Sequence, residues 1–297
     1  MGSLFNKREF LRLLGSAFVA APTAMATTRS MSKGVSVEKI GNREAAFERV
    51  TRTNTLRCGY GLWPPGLSKD PKTGELTGIF YDYLIAIGKH TGINIEWVAE
   101  IGWGDFPVAL NCGRIDAMVF GAWPKATAAK EVLYTEPTYY LPINAYVREG
   151  DNRFDHALDN ANAPSVTLSV MDSELSSELA RTRFPKAKTL SVSQLSDAST
   201  LLLNVATGKA DVTFTTSWIA AEFMAKNPGK IKAVPLDHPL RLFGHTIPVG
   251  KGEHSLVSLL NTATDEIMSS GEFETIVKKY ETIPGVLLMQ RPEYKGV

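Results

Sequence analysis

Only two cysteines, Cys58 and Cys112, occur among the 297 residues. Without histidines clustered beside them they are too few for a structural zinc site, which needs four such ligands. The five histidines, His90, His156, His238, His245 and His254, are scattered, so spacing supports neither a metal centre nor a Ser-His-Asp triad. No Gly-x-x-x-x-Gly-Lys loop, His-Glu-x-x-His helix or Gly-x-Ser-x-Gly elbow is present, and the chemistries those motifs carry lack their parts. A one-sided charge is missing too: the formal net charge is +1, whereas a surface built on phosphate contacts carries a strong basic excess. No nucleic acid, metal or cofactor is therefore expected. What remains is ordinary globular composition, 44% hydrophobic and 21% charged, with room for one large or two medium domains.

The N-terminus has the layout of an export signal. Basic Asn6-Lys7-Arg8-Glu9-Phe10-Leu11-Arg12 precedes an apolar run from Leu13 to Ala21, then Ala24-Met25-Ala26, a small-x-small cleavage pattern. The run is shorter than the roughly 20 residues of a membrane span, and no cysteine follows it to take a lipid. A cleaved signal peptide over 1–26 and a periplasmic product are expected. Lys7-Arg8-Glu9-Phe10-Leu11 resembles a twin-arginine signal with Lys in place of the first Arg, which leaves the export route open.

One pattern occurs twice. Gly113-Arg114-Ile115-Asp116 runs on to Phe120, and Gly208-Lys209-Ala210-Asp211 runs on to Phe214. Glycine tolerates the left-handed turn that ends a helix, the basic residue meets the last carbonyls, and the apolar run after Asp suits a strand covered on both faces. Two copies at domain-sized spacing imply two similar α/β lobes, with a cleft between them that could hold a ligand. Asp116 and Asp211 read as structural.

The surrounding pattern agrees. Residues 27–54 read as a polar linker with one short helix near Arg43 to Val50, and the folded body starts near Thr55. Leu56–Tyr60, Ile93–Val98 and Ile115–Phe120 are predicted strands, separated by helices over Phe80–His90 and Phe106–Asn111. After an apolar crossing at Tyr139–Val147 come a strand at Val166–Val170, a helix at Ser176–Arg183, a strand at Thr189–Val192 and helices at Leu195–Ala206 and Ser217–Lys226. A return crossing at Leu242–Val249 and helices at Ser255–Ser269 and Phe273–Tyr280 complete the fold, leaving a loosely packed tail after Glu281. Cys58 and Cys112 both lie where predicted strands begin, so they could form a disulfide or remain two buried thiols.

At this level the chain resembles solute-binding protein family 3, the type II periplasmic binding proteins of ABC importers. The resemblance rests on Leu76-Thr77-Gly78-Ile79-Phe80-Tyr81-Asp82, the two Gly-basic-apolar-Asp strands, Tyr134-Thr135-Glu136-Pro137, and Ser270-Gly271-Glu272-Phe273 through Lys278-Lys279-Tyr280. It implies a two-lobed α/β fold, each lobe a mostly parallel sheet flanked by helices, joined by two crossover strands and closing by a hinge. The implied boundaries are lobe 1 at 55–143 and 246–297, and lobe 2 at 144–245. It also implies a monomeric receptor, not an enzyme, that hands a small molecule to an inner-membrane ABC permease.

Two departures bear on the ligand. Amino-acid-binding members place an Arg where Ala128 stands and an Asp where Thr216 stands, and a ligand's buried charges are costly without such partners. Aromatic residues take over instead. By the resemblance, Trp63 falls at the stacking position, Trp103 and Gly121 with Trp123 line the first lobe, and Tyr60 lies beside Trp63. Ser173 and Glu174 occupy the carboxylate-binding turn of the second lobe, opposite Thr216, although a shift of two would put Asp172 in place of Glu174. Each Trp reads equally well as core. Aromatic faces with one carboxylate suit an organic cation or an aromatic ring, since a desolvated cation over Trp gains about 2 kcal/mol, whereas Lys125 and Lys130 near Ala128 would suit an acidic ligand. The alternatives are an enzyme on the same scaffold, resembling cyclohexadienyl dehydratase with Glu174 as its acid, and an accessory protein that docks a partner through a degenerate cleft.

Overall fold

The fold is taken from a computed structural model, which describes residues 44–281 and 287–289. The expected signal peptide and most of the linker lie outside these residues.

The described chain opens with a helix, α1 (Ala46–Thr53), rather than with the first strand. Ala46 and Val50 of α1 are buried, and Arg49 reaches Asp116, so the end of the expected linker belongs to the folded body. Then follow β1 (Thr55–Tyr60), the small hairpin β2 (Ser68–Lys69) and β3 (Leu76–Thr77), α2 (Ile79–Thr91), β4 (Asn94–Glu100), α3 (Phe106–Asn111), β5 (Ala117–Val119) and β6 (Val132–Tyr134). In α2, Phe80, Tyr83, Leu84 and Ile87 recur at helical spacing and are buried. The helix ends at Gly92, whose N–H bonds the Gly88 carbonyl.

The chain crosses on β7 (Tyr140–Arg148) and builds β8 (Thr167–Met171), α4 (Leu175–Arg183), β9 (Lys188–Val192), α5 (Ser199–Ala206), β10 (Val212–Thr216), α6 (Ser217–Lys226) and β11 (Ile231–Ala233). It returns on β12 (Arg241–Gly244) and closes with β13 (Pro248–Gly250), α7 (His254–Ser269) and α8 (Glu272–Tyr280). The strands form two main sheets. One has the order β4-β1-β5-β13-β6, and the other β11-β7-β10-β8-β9 with β12 also on β7. β1 runs parallel to β4 and β5, and β8 runs parallel to β9 and β10, while β13, β7 and β12 enter antiparallel. The two crossings pair with each other, Tyr140 opposite Gly244. The return crossing breaks at His245 and resumes at Pro248. Leu288 pairs with Tyr140 through two backbone bonds, so this part of the expected loose tail is pinned to the first crossing.

The doubled motif is the same device twice. Asp116 accepts from the Arg57 N–H at 2.8 Å and returns its own N–H to the Arg57 carbonyl at 2.8 Å. Asp211 does the same with Thr167, at 2.8 and 2.7 Å. The glycines before them adopt φ +76° and +77°, which lets the helix stop and the next two N–H groups fold back on Ala109 and Asn204. Each Asp thus fixes the register of a central strand against its parallel neighbour. The guanidinium groups of Arg49 and Arg57 meet Asp116, and those of Arg148 and Arg153 meet Asp211.

The cysteines are both free thiols. Cys58 points from β1 into the buried cluster shared with α1, α2 and α7, while α3, which ends at Cys112, packs into the cluster on the other side of the sheet. A sheet lies between them, so of the two alternatives the disulfide does not form, and of the two thiols Cys58 is buried while Cys112 is exposed.

Candidate functional site

The residues singled out in the sequence converge through one structural rule. Trp63, Trp103 and Trp123 lie in the loops that follow the carboxyl ends of β1, β4 and β5, and Glu174 follows β8, while Thr216 ends β10. Ligands of open α/β sheets bind outside the carboxyl ends of the strands, and here the ends of both sheets meet.

One cavity is lined by Trp63, Trp103, Gly121, Trp123, Ile143, Glu174, Leu175, Thr216, Phe243 and His245. Six of the eight residues expected to bind a ligand are in that set. Tyr60 is not: it lies two residues from Cys58 on a strand, hence on the same face, where it packs edge-on against Trp97 at 6.1 Å. Ser173 sits at the exposed rim, its carbonyl accepting from Lys125 Nζ at 3.0 Å. Phe243, Ile143, Leu175 and His245 were not foreseen. They come from the two crossings and from α4, and no motif in the sequence ties them to the tryptophans.

The walls are mutually engaged. Trp63 meets Trp103 edge-on at 5.4 Å, Trp103 meets Trp123 at 5.5 Å, and Trp123 stacks on Phe243 at 4.7 Å and 15°. Trp123 follows β5 of the first sheet and Phe243 lies on β12 of the second, and an apolar cluster runs unbroken from Met118 and Phe120 through the indoles to Ile143 and Phe214. The remaining cavity measures about 10 Å³, enough for roughly one water. A larger ligand requires the lobes to part or the indoles to turn.

Glu174 is the only acid on this cavity and is buried. Its carboxylate caps α4, accepting from the Ser176 N–H and Oγ, both at 2.7 Å. Burial pushes its carboxyl above the usual range; the Ser176 and Leu175 bonds and the Lys125 charge only partly offset this. Lys125 approaches from the first lobe, with Nζ 4.8 Å from the Trp123 ring centre. Burial lowers its pKa, opposed by Glu174 and Glu178. Thr216 caps α6, accepting from the Ile219 N–H at 3.4 Å. Ala128 is partly buried beside the cluster, and Lys130 is exposed. Two more ties cross the rim: Gln194 accepts from the Gly104 N–H at 2.8 Å and donates to Asp105 Oδ2 at 2.8 Å. Among the described residues no group of His, Cys, Asp and Glu could hold a metal, and no helix is long and apolar enough to cross a membrane.

The sequence profile of the bacterial extracellular solute-binding proteins, family 3, matches residues 56–282. The chain belongs to that family. Among curated proteins it is 25% identical over 238 residues to a probable histidine-binding protein of Campylobacter jejuni, covering 80% of this chain and 88% of the relative. Among solved structures it resembles an ancestral amino-acid-binding protein described as a precursor of cyclohexadienyl dehydratase, with TM-score 0.69 and 23% identity over 80% of this chain and 99% of the other. It also resembles the substrate-binding protein of an amino acid ABC transporter, with TM-score 0.66 and 22% identity over 77% of this chain and all of the other. The fold of this family 3 member is therefore the two-lobed, type II periplasmic binding fold.

Proposed function

We propose that this family 3 protein is a periplasmic receptor that captures a small organic cation or aromatic molecule between its lobes and delivers it to an ABC permease. The observation that carries the ligand class is the cavity itself: three indoles and Phe243 around a single buried carboxylate, Glu174. A ligand ammonium there would reverse the burial penalty on Glu174 and gain about 2 kcal/mol over a desolvated indole. Lys125 already places an ammonium over Trp123, so this indole face accepts a cation. Lys125 alone of the two nearby lysines reaches the cleft rim, and its ammonium is engaged by the Ser173 carbonyl, which leaves an acidic ligand less well served.

The resemblance adds that Ala128 and Thr216 stand where amino-acid receptors carry their charged partners. The C. jejuni relative named for histidine is compatible with a nitrogenous ligand. The enzyme alternative is less well supported, because the matched family is one of binding proteins. Delivery to a permease is supported by the ABC transporter neighbour, and a periplasmic location by the signal-like N-terminus.

Mass spectrometry of the small molecules released from the purified protein tests the ligand class; an ordinary α-amino acid would overturn it. Trp123→Ala should weaken ligand-induced thermal stabilisation by at least tenfold in affinity, about 1.4 kcal/mol. Unchanged affinity would remove Trp123 from the site.

A further inference from the structure

His245 is a polar group that the fold leaves unused. It is 4% exposed, and neither ring nitrogen makes a well-formed hydrogen bond, the Gly121 backbone being the one polar group that acts on the ring. Tyr139 stacks on it at 4.6 Å and 16°, and Phe80 lies at 6.2 Å. Its backbone is held in the hinge region, the N–H donating to the Tyr139 carbonyl at 2.8 Å and the carbonyl accepting from the Thr138 N–H at 2.9 Å. The imidazole is therefore fixed between the two crossings. Gly121 closes the remaining side at φ +67°, where a Cβ would come within 2.5 Å of Nδ1.

Packing alone does not account for this residue. A phenylalanine would stack on Tyr139 without burying two nitrogens, and a buried polar group without a partner costs about 1–3 kcal/mol. Such a group facing a ligand cavity has a ready use. His245 and Gly121 line the same cavity as Glu174, Thr216 and the indoles. Burial holds the imidazole neutral, lowering its pKa to about 4, opposed by a hydrogen-bonding interaction with the Gly121 backbone. A neutral imidazole offers one donor and one acceptor.

We propose that His245 contacts the ligand and forms a second, uncharged pole of the cleft, so that the ligand carries a hydrogen-bonding hydroxyl, amide or ring N–H besides its cationic nitrogen. This rests on the cation reading of the cleft. It adds to it the half of the ligand that the indoles and Glu174 leave unspecified.

Three amines with the same two-carbon chain serve as probes: phenethylamine, tyramine and histamine. Their affinities are measured by isothermal titration calorimetry on the wild-type protein and on His245→Phe, His245→Gln and Glu174→Gln, each first shown to melt cooperatively. Tyramine or histamine should bind the wild type at least tenfold more tightly than phenethylamine. His245→Phe should shrink that preference below twofold, His245→Gln should restore part of it, and Glu174→Gln should weaken all three amines. If phenethylamine binds the wild type as tightly as the other two, or if the preference survives in His245→Phe, the role of His245 is overturned while the cation reading stands. If none of the amines binds, the cation reading falls and this inference falls with it.

Discussion

Lowering the pH should destabilise this fold through His245. In the folded chain the buried imidazole has a pKa of about 4, against 6.5 for an ordinary histidine. The unfolded chain therefore takes up a proton first as the pH falls. The stability held by the neutral imidazole is complete above pH 6.5, declines between pH 6.5 and about 4, and is gone below. A difference of 2.5 pH units, at 1.36 kcal/mol each, corresponds to about 3 kcal/mol, of which about 2 kcal/mol is lost by pH 5. That is a large part of an ordinary domain's stability. His90 acts in the opposite sense, because hydrogen bonds to Glu272 and Glu266 raise its pKa, so the raw curve mixes the two. Urea unfolding followed by tryptophan fluorescence, compared between wild type and His245→Phe at pH 7, 6 and 5, isolates the His245 contribution. The variant should lose about 2 kcal/mol less than the wild type between pH 7 and pH 5. Parallel curves would show that His245 is not buried and neutral, and the reasoning would fail.

The two aspartate devices should differ in weight. Asp116 has no exposed side-chain surface, and Asp116→Ala strands the Arg57 N–H and two guanidinium groups at a cost of about 3–5 kcal/mol; Asp211, 19% exposed, should cost about 1–3 kcal/mol, and equal losses in urea unfolding would contradict this. Gln194→Ala removes two bonds across the rim and should lower the closed population about tenfold, on an estimate of roughly 1–3 kcal/mol for the pair; a fluorescence-transfer distance between dyes on the two lobes that does not move would refute it. In the native protein a thiol reagent should label one cysteine, the exposed Cys112, and reach Cys58, whose thiol burial makes harder to ionise, only after unfolding; two equivalents in the native state would argue against the buried position of Cys58.

Much of the fold could be read from local chemistry. The repeated glycine and aspartate located both central strands because the turn at each glycine folds the next two N–H groups back on the preceding helix, a local device, even though each Asp then bonds a distant strand. The missed features depend on distant parts of the chain. The helix expected from Leu195 starts at Ser199, because Asp197 accepts from the Ser199 N–H and the preceding Gln194 is held across the rim by Gly104 and Asp105. Tyr60 was placed in the site by its closeness to Trp63, although the alternation of β1 turns it to the face of Cys58. The two-residue period alone places Tyr60 on that face. His245 and Phe243 were beyond reach, since they meet the indoles only because the return crossing lies against the first.

Every ion pair among the described residues joins groups of the same lobe, Asp116 with its arginines in one and Asp211 with its own in the other. On the proposed hinge motion, each lobe would therefore swing without separating a single bonded charge pair. The work of parting them would fall on the bonds of Gln194 and Lys125, on the stack of Trp123 upon Phe243 and on the apolar cluster that continues across the cleft. For such a motion the charges are already partitioned, with the arginine clusters acting as ballast within each lobe rather than as a lock between them.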